Sequence, residues 1–166
     1  MRKIGIAILA MATALGVAAA RAADDAAFVK AAASGGMLEV ELGKVAVKQA
    51  SNPDVTAFGE RMITDHSKAD GELARVARKE GLSVPSKMDE KDLAKLNELS
   101  KLHGAAFDKA YMDAMVKDHE QDVAEFRAQA AQKKSDVDRW AADTLPTLES
   151  HLAQAKTVDA RVAGAR

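Results

Sequence analysis

The chain has 166 residues, with 24 lysines and arginines against 25 aspartates and glutamates and a formal net charge of −1. Basic and acidic residues are interleaved and form no basic stripe, which argues against a nucleic-acid partner. The absence of cysteine excludes disulfides, thiolate metal sites, a cysteine nucleophile and a lipoprotein-type anchor. Few aromatic residues and many alanines favour closely packed helices over a β-sandwich.

The N-terminus has the three parts of a cleavable secretory signal. Arg2 and Lys3 form a basic start, residues 4–20 form an apolar run, and small residues with A-x-A spacing follow. A membrane span needs ~20 solidly apolar residues, whereas this run is shorter and rich in Ala and Gly. The sequence therefore predicts a signal peptide at residues 1–22 and one domain at 23–162. The protein is expected to be exported, to the periplasm, and to keep no membrane span after cleavage.

Hydrophobic periodicity predicts four long helices and one short helix, and no strand-like alternation competes with them. The predicted helices cover, in chain order, residues 25–50, 53–80, 89–102, 105–133 and 136–161. Asn52 and Pro53 form a typical helix start. Ser135, with Asp138 three residues later, resembles a capping box. Pro146 lies inside the last helix and predicts a kink or a break there.

The lengths of the connections predict the topology. The tight junction after the first long helix makes the first two helices antiparallel neighbours. The longer connection between the second and third long helices contains the short one. The predicted fold class is therefore all-α, an antiparallel four-helix bundle with ferritin-like connectivity and a short extra helix in the crossover between helices two and three.

Each long helix carries one polar residue in or beside its apolar stripe. Because successive residues of an α-helix are 100° apart, Glu39, His66 and His119 fall among apolar neighbours of their own helices, and His151 lies nearer a stripe edge. Three histidines and one glutamate therefore project toward the common core. His103 differs, because it ends the short helix and is predicted to be solvated.

The chain positions also predict the heights of these residues in the bundle. Glu39 and His66 each lie 13 residues from the helix junction between them, so they are level across an antiparallel pair. His119 and His151 each lie 16 residues from Ser135, so the second pair is level as well. The crossover sets the offset between the two pairs, and the sequence leaves that offset open.

One interpretation of the polar set is a site for one divalent metal ion. Imidazole and carboxylate groups suit iron, zinc, manganese or copper, and bundles build such sites from facing helices. The predicted ligands are Glu39, His66, His119 and His151. Four aspartates near the histidines are candidate ligands or acceptors for the imidazole N–H; they are Asp65, Asp70, Asp118 and Asp122.

The other interpretation is a buried polar layer without metal. A buried glutamate beside a core histidine satisfies the rule that buried charges find partners, and such a layer fixes the register of the helices. The protein would then be a non-catalytic structural or interaction module that binds a protein partner or a second copy of itself. Neither a Gly-rich nucleotide turn nor a serine-hydrolase pattern is present, so the sequence favours no enzyme class.

Four segments resemble a bacterial family known as domain of unknown function 4142. They are residues 35–43 (GGMLEVELG), 62–66 (MITDH), 111–119 (YMDAMVKDH) and 145–152 (LPTLESHL). The resemblance covers about residues 25–158, and it implies a ferritin-like fold and an exported protein. It supplies no activity. The leading functional hypothesis is therefore metal binding at the core histidines, or protection of the cell envelope under stress.

The chain departs from the di-iron proteins of ferritin-like fold at one point. Those proteins carry Glu-x-x-His on two helices. Here the residues three positions before the core histidines are Ile63, Val116 and Leu148. A dinuclear carboxylate-bridged site and ferroxidase activity are therefore not expected, whereas a mononuclear histidine-rich site stays compatible with the sequence.

The signal-peptide prediction is tested on the N-terminus of the exported protein. Protein recovered from an envelope fraction should begin between Arg21 and Asp25, because the A-x-A pattern ends just before or within this stretch. Mass spectrometry of the intact chain measures this directly. An intact Met1 in the membrane pellet would instead support an uncleaved anchor.

Overall fold

The computed structural model describes the backbone of residues 6–164 and the side chains of residues 21–164. This part of the chain forms five helices and no strand, which confirms the all-α prediction. The helices are α1 (Ile6–Gln49), α2 (Pro53–Lys79), α3 (Glu90–Leu99), α4 (Gly104–Ala130) and α5 (Asp136–Gly164). Residues 1–5, which carry the basic start of the predicted signal, lie outside the described residues.

The first helix begins inside the predicted signal peptide, at Ile6, rather than near residue 25. The intervening segment is rich in alanine, the strongest helix former, so nothing in it ends the helix. A helical backbone agrees with a signal peptide as well as with a mature helix, and the cleavage stays a prediction. Among the helices that the structure describes, none has an apolar stretch sufficient to cross a membrane.

The four long helices pack as two hairpins. The closest packing joins α1 to α2 and α4 to α5, while α2 also packs on α5 and α1 on α4. The short helix α3 lies in the crossover and touches α1 and α4. This is the predicted four-helix bundle with ferritin-like connectivity.

Two predicted helix starts are confirmed in detail. The Asn52 side chain accepts a hydrogen bond from the Asp54 N–H at 2.8 Å, with Pro53 in the first helical position. At the start of α5 the bonds are reciprocal, as in a capping box. The Asp138 N–H donates to Ser135 Oγ at 3.1 Å, and the Ser135 N–H donates to Asp138 Oδ2 at 3.0 Å.

A kink or a break was expected at Pro146, and α5 continues through this residue to Gly164, so the helix is not broken there. Proline removes the hydrogen bond to the carbonyl of Ala142, four residues earlier. Both residues are exposed, so water can hydrate that carbonyl and the helix persists.

Two glycines bring α1 and α2 into close contact. A Cβ atom at Gly43 would lie 2.6 Å from the Gly59 carbonyl oxygen, and one at Gly59 would lie 2.7 Å from the Ala46 Cβ. Such contacts exclude any side chain, so the two backbones approach closely here. Gly43 is one turn from Glu39 on α1, and this close approach holds Glu39 near α2.

The core consists of two apolar clusters toward opposite ends of the bundle. The cluster nearer the α1–α2 turn includes Leu42, Phe58, Met115 and Ala155. The cluster at the other end includes Val29, Leu73, Phe126 and Leu148. Each long helix passes from one cluster to the other at its polar residue. Glu39, His66, His119 and His151 therefore form a polar layer between two apolar blocks.

A buried aspartate ties the α1–α2 turn to α4. Asp108 is 2% exposed. Its carboxylate accepts hydrogen bonds from the Ser51 N–H at 3.1 Å, the Ser51 hydroxyl at 2.5 Å and the Asn52 N–H at 3.0 Å. These bonds fix the height of the first hairpin relative to α4.

We predict that Asp108→Ala lowers the free energy of unfolding by about 1–3 kcal/mol, because two backbone N–H groups lose their acceptor. Urea unfolding followed by circular dichroism measures the change. The matched control is Asp113→Ala on the same helix, which removes an exposed ion pair with Lys109 and should cost at most about 0.5 kcal/mol. Equal losses in the two variants would contradict a specific role of Asp108.

Candidate metal centre

The structure brings the three core histidines together. One ring nitrogen each from His66, His119 and His151 lies within 4.8 Å of the others. The ring centroids are 5.3 Å apart for His66 and His151, 5.3 Å for His119 and His151, and 5.8 Å for His66 and His119. The two level pairs that the sequence predicted therefore share one height in the bundle.

Glu39 lies against this group and is 2% exposed. Its Oε2 is 2.8 Å from His66 Nε2, and its Oε1 is 3.3 Å from His119 Nδ1. The tightest group contains the three histidines without Glu39, but the carboxylate contacts two of its members. All four predicted ligands are thus neighbours in space.

In two of the histidines, one ring nitrogen is held by a hydrogen bond. His119 Nδ1 lies 2.9 Å from the Met115 carbonyl oxygen, and His151 Nε2 lies 2.7 Å from Asp65 Oδ2. Since both partners are acceptors, each of these nitrogens carries the proton and donates. The other nitrogen of each ring then has a free lone pair.

Those free nitrogens are buried without a partner. His119 Nε2 and His151 Nδ1 have no hydrogen bond from any described residue, and neither does Glu39 Oε1. His66 Nε2 also makes no hydrogen bond of good geometry, although Glu39 Oε2 is close. Unpaired polar atoms are rare inside proteins, so this concentration at one level marks the site.

Burial and charge set the ionisation of the layer. Burial alone would raise the pKa of Glu39, but the adjacent His66 and His119 outweigh it and lower this pKa to about 2. Burial opposes charge on His66 as well, yet the Glu39 carboxylate raises the pKa of that imidazole. Burial lowers the pKa of His151 to about 4, despite its hydrogen bond to Asp65. Glu39 is therefore an anion, and His151 is neutral at physiological pH.

The four neighbouring aspartates have different surroundings. Asp65 meets His151 of another helix rather than its sequence neighbour His66. Although burial would raise the pKa of Asp65, hydrogen bonds from His151 and Arg61 hold it below its usual value. Asp118 pairs with Lys95 of α3 at 2.6 Å.

Asp70 and Asp122 border a small cavity of about 40 Å³ beside Glu39 and His66. Burial, together with the charge of Glu39, raises the pKa of Asp70 to about 6 and that of Asp122 well above its usual value. This volume accommodates a few water molecules at most.

A second cavity, of about 110 Å³, lies between α1, α3 and α4. Sequence analysis missed several of its residues, including Asp89, Asp92 and Glu125. One signal could have found Glu125. On α4, Asp118, Asp122 and Glu125 follow the i, i+4, i+7 spacing of one helix face, which marks an acidic stripe running alongside the histidine face.

The donor set fits a transition-metal ion. Imidazole nitrogen and carboxylate oxygen are ligands for zinc, iron, manganese and copper. In a tetrahedral zinc site with bonds of ~2.0–2.1 Å, the ligand atoms stand about 3.3 Å apart. Ring nitrogens within 4.8 Å of one another reach that spacing with shifts of about 1 Å or less. The hydrogen bonds to Met115 and Asp65 orient two of the rings in the way that bound imidazoles are usually oriented.

The fold and the polar layer define a class: helical-bundle proteins with a histidine-rich core. The profile of the family described as domain of unknown function (DUF4142) matches residues 10–158, and the chain belongs to this family. The match begins inside the predicted signal peptide.

A solved structure shares the fold. The crystal structure of a DUF305 fragment from Deinococcus radiodurans superimposes with a TM-score of 0.72 at 13% sequence identity, covering 82% of this chain and 95% of that chain. At this identity the likeness concerns the fold alone. Comparison with curated proteins gives no match.

Proposed function

We propose that this DUF4142 protein is exported to the periplasm and binds one divalent transition-metal ion, of iron, zinc, manganese or copper, in the core of its bundle. His66, His119 and His151 supply the nitrogen ligands, and Glu39 supplies the negative charge and a carboxylate ligand. One observation carries the proposal, namely the convergence of three buried histidine rings, each with one buried nitrogen that lacks a hydrogen-bond partner, beside a buried carboxylate.

A cation accounts for this arrangement better than a water molecule does. His119 Nε2, His151 Nδ1 and Glu39 Oε1 are all acceptors, given the hydrogen bonds that hold the other nitrogen of each ring. A water molecule donates only two hydrogen bonds, whereas a metal ion accepts every lone pair that faces it. Each acceptor left unpaired would cost about 1–3 kcal/mol.

Export is supported by the basic start, apolar run and small residues of the N-terminus. A periplasmic protein that sequesters a reactive metal ion would protect the cell envelope under stress, and this is the biological role we propose. The site suits retention of the ion rather than catalysis, because the four groups enclose it from four helices and the cavity that borders His66 holds only about 40 Å³.

A second candidate function is supported by the contacts that exist without an ion. Glu39 lies 2.8 Å from His66 Nε2, and Asp65 binds His151 at 2.7 Å. These contacts provide partners for some of the buried polar groups in the layer. The layer would then serve only to fix the register of the helices in a structural module. Such a module would act by binding a protein partner or a second copy of itself.

The metal proposal is tested on protein purified without a histidine tag. We expect one equivalent of Zn²⁺ to bind by calorimetry and to raise the unfolding free energy by about 2.7 kcal/mol at a free concentration of 100 Kd. His119→Ala should weaken binding by at least about 100-fold, because loss of a ligand exceeds the 10–100-fold effect of losing a ligand's hydrogen-bond partner.

The matched control is His103→Ala. His103 is exposed at the start of α4, outside the bundle core, so its loss should leave Zn²⁺ affinity unchanged. Equal affinities of the His119 and His103 variants would contradict the site. If the unsubstituted protein neither binds nor is stabilised by Zn²⁺, Co²⁺, Mn²⁺, Fe²⁺ or Cu²⁺, the structural-layer candidate replaces the metal proposal.

A further inference from the structure

The two cavities beside the histidine layer meet at Glu39. The smaller one borders His66, and the larger one lies between α1, α3 and α4. Five residues line both; they are Ala31, Gly35, Glu39, Asp122 and Glu125. The larger cavity, which we call the acidic groove, therefore leads from α3 to the carboxylate that touches the histidines.

Carboxylates outnumber lysines in the lining of the acidic groove. Its lining holds six carboxylate side chains and two lysines. One of the lysines, Lys95, is already paired with Asp118 at 2.6 Å. A cleft lined by one sign of charge concentrates ions of the opposite sign and raises their rate of association. Acidic residues alone do not define a binding site, however, because they also form ordinary solvated surfaces.

A second observation distinguishes this groove from such a surface. Glu39 is 2% exposed and its Oε1 has no hydrogen-bond partner among the described residues, yet Glu39 lines both cavities. The wall shared by the two cavities therefore contains a buried carboxylate, one oxygen of which makes no hydrogen bond. The other oxygen of this carboxylate, Glu39 Oε2, lies 2.8 Å from His66 Nε2.

We propose that the acidic groove is the route by which a hydrated divalent cation reaches the histidines, with Glu39 as the residue that receives it first. This inference rests on the proposed metal-binding function and adds how the ion gains access. The groove carboxylates attract the ion, and Glu39 holds it while the ring nitrogens replace its water molecules.

Gly35 keeps the route open. A Cβ atom at Gly35 would meet nothing within 4 Å, whereas one at Gly36 would lie 2.1 Å from Asp70 Oδ1. Gly35 therefore faces free space at the junction of the two cavities. A larger side chain at this position has room to fit and would fill the passage.

The first experiment compares Gly35→Leu with Gly71→Leu. A Cβ atom at Gly71 also meets nothing within 4 Å, but Gly71 lies on the exposed side of α2, so it controls for the general effect of replacing a helical glycine. Co²⁺ association is followed by stopped-flow visible absorption, and dissociation by transfer of Co²⁺ to a chelator.

We expect Gly35→Leu to slow Co²⁺ association several-fold, because the leucine side chain would occupy the free space at the junction of the two cavities. Dissociation should slow by a similar factor, because both directions use the same passage. The Kd is the ratio of the dissociation rate constant to the association rate constant, so it should stay within about threefold of the value for the unsubstituted protein. Substitution of a metal-binding residue would instead change the Kd. Measuring both rates therefore distinguishes a residue of the access route from a residue of the binding site.

The second experiment tests charge and does not depend on the packing of leucine. Glu125→Lys reverses a charge in the groove, and Glu120→Lys reverses an exposed charge on the same helix that pairs with Lys156. We expect only Glu125→Lys to slow Co²⁺ association, by several-fold at low ionic strength. The difference should vanish near 1 M salt, where the Debye length is about 3 Å.

The outcomes distinguish the route from the function. If Gly35→Leu and Glu125→Lys bind Co²⁺ as fast as their controls, the route is wrong while the metal site stands. If the unsubstituted protein does not bind Co²⁺ or any other divalent ion, the proposed function is wrong and the route falls with it. Slower association in both groove variants, with unchanged controls, supports the route.

Discussion

A carboxylate buried in the middle of a helical bundle constrains everything around it. Removing the charge of Glu39 from water is expensive unless donors or cations face it, and here His66 and His119 do so at 2.8 and 3.3 Å. The surrounding structure serves this requirement. The glycine contact between α1 and α2 keeps Glu39 close to its neighbouring helix, and Asp108 sets the height of that hairpin against α4. The polar layer can exist at one level only because these two contacts align the helices.

The sequence was sufficient for the elements whose causes are local. Helix starts at Asn52 and Ser135 follow from side chains that cap their own backbone, and the level pairing of Glu39 with His66 follows from counting along one hairpin. The offset between the two hairpins depends on how the crossover packs, which no local pattern encodes. For the same reason, the sequence marked Asp65 as a candidate acceptor for an imidazole N–H but did not indicate that its partner would be His151, across the α2–α5 contact. Pro146 was expected to kink or break α5; the helix is not broken there, and the solvent-facing position of the proline allows it to continue.

The carboxylates around the histidines differ in burial, and this difference gives each a separate task. Asp118 is half-buried in the groove wall and is paired with Lys95. Asp70 and Asp122 are more deeply placed, and burial raises their pKa values, so they carry less charge in the absence of a cation. Glu39 is the most buried and the most strongly ionised, because imidazoles surround it. Negative charge is therefore concentrated at the end of the groove where the ring nitrogens lie.

The two-hairpin architecture also has a kinetic consequence. Glu39 and His66 belong to one hairpin, while His119 and His151 belong to the other, and contacts within each hairpin are local in the chain. Local contacts form early in folding, whereas docking of the hairpins must close a longer loop. An ion held by all four residues would link the hairpins only after docking, since the layer is incomplete before it. Such a link would act mainly on the rate at which the hairpins separate, and so on the lifetime of the folded chain.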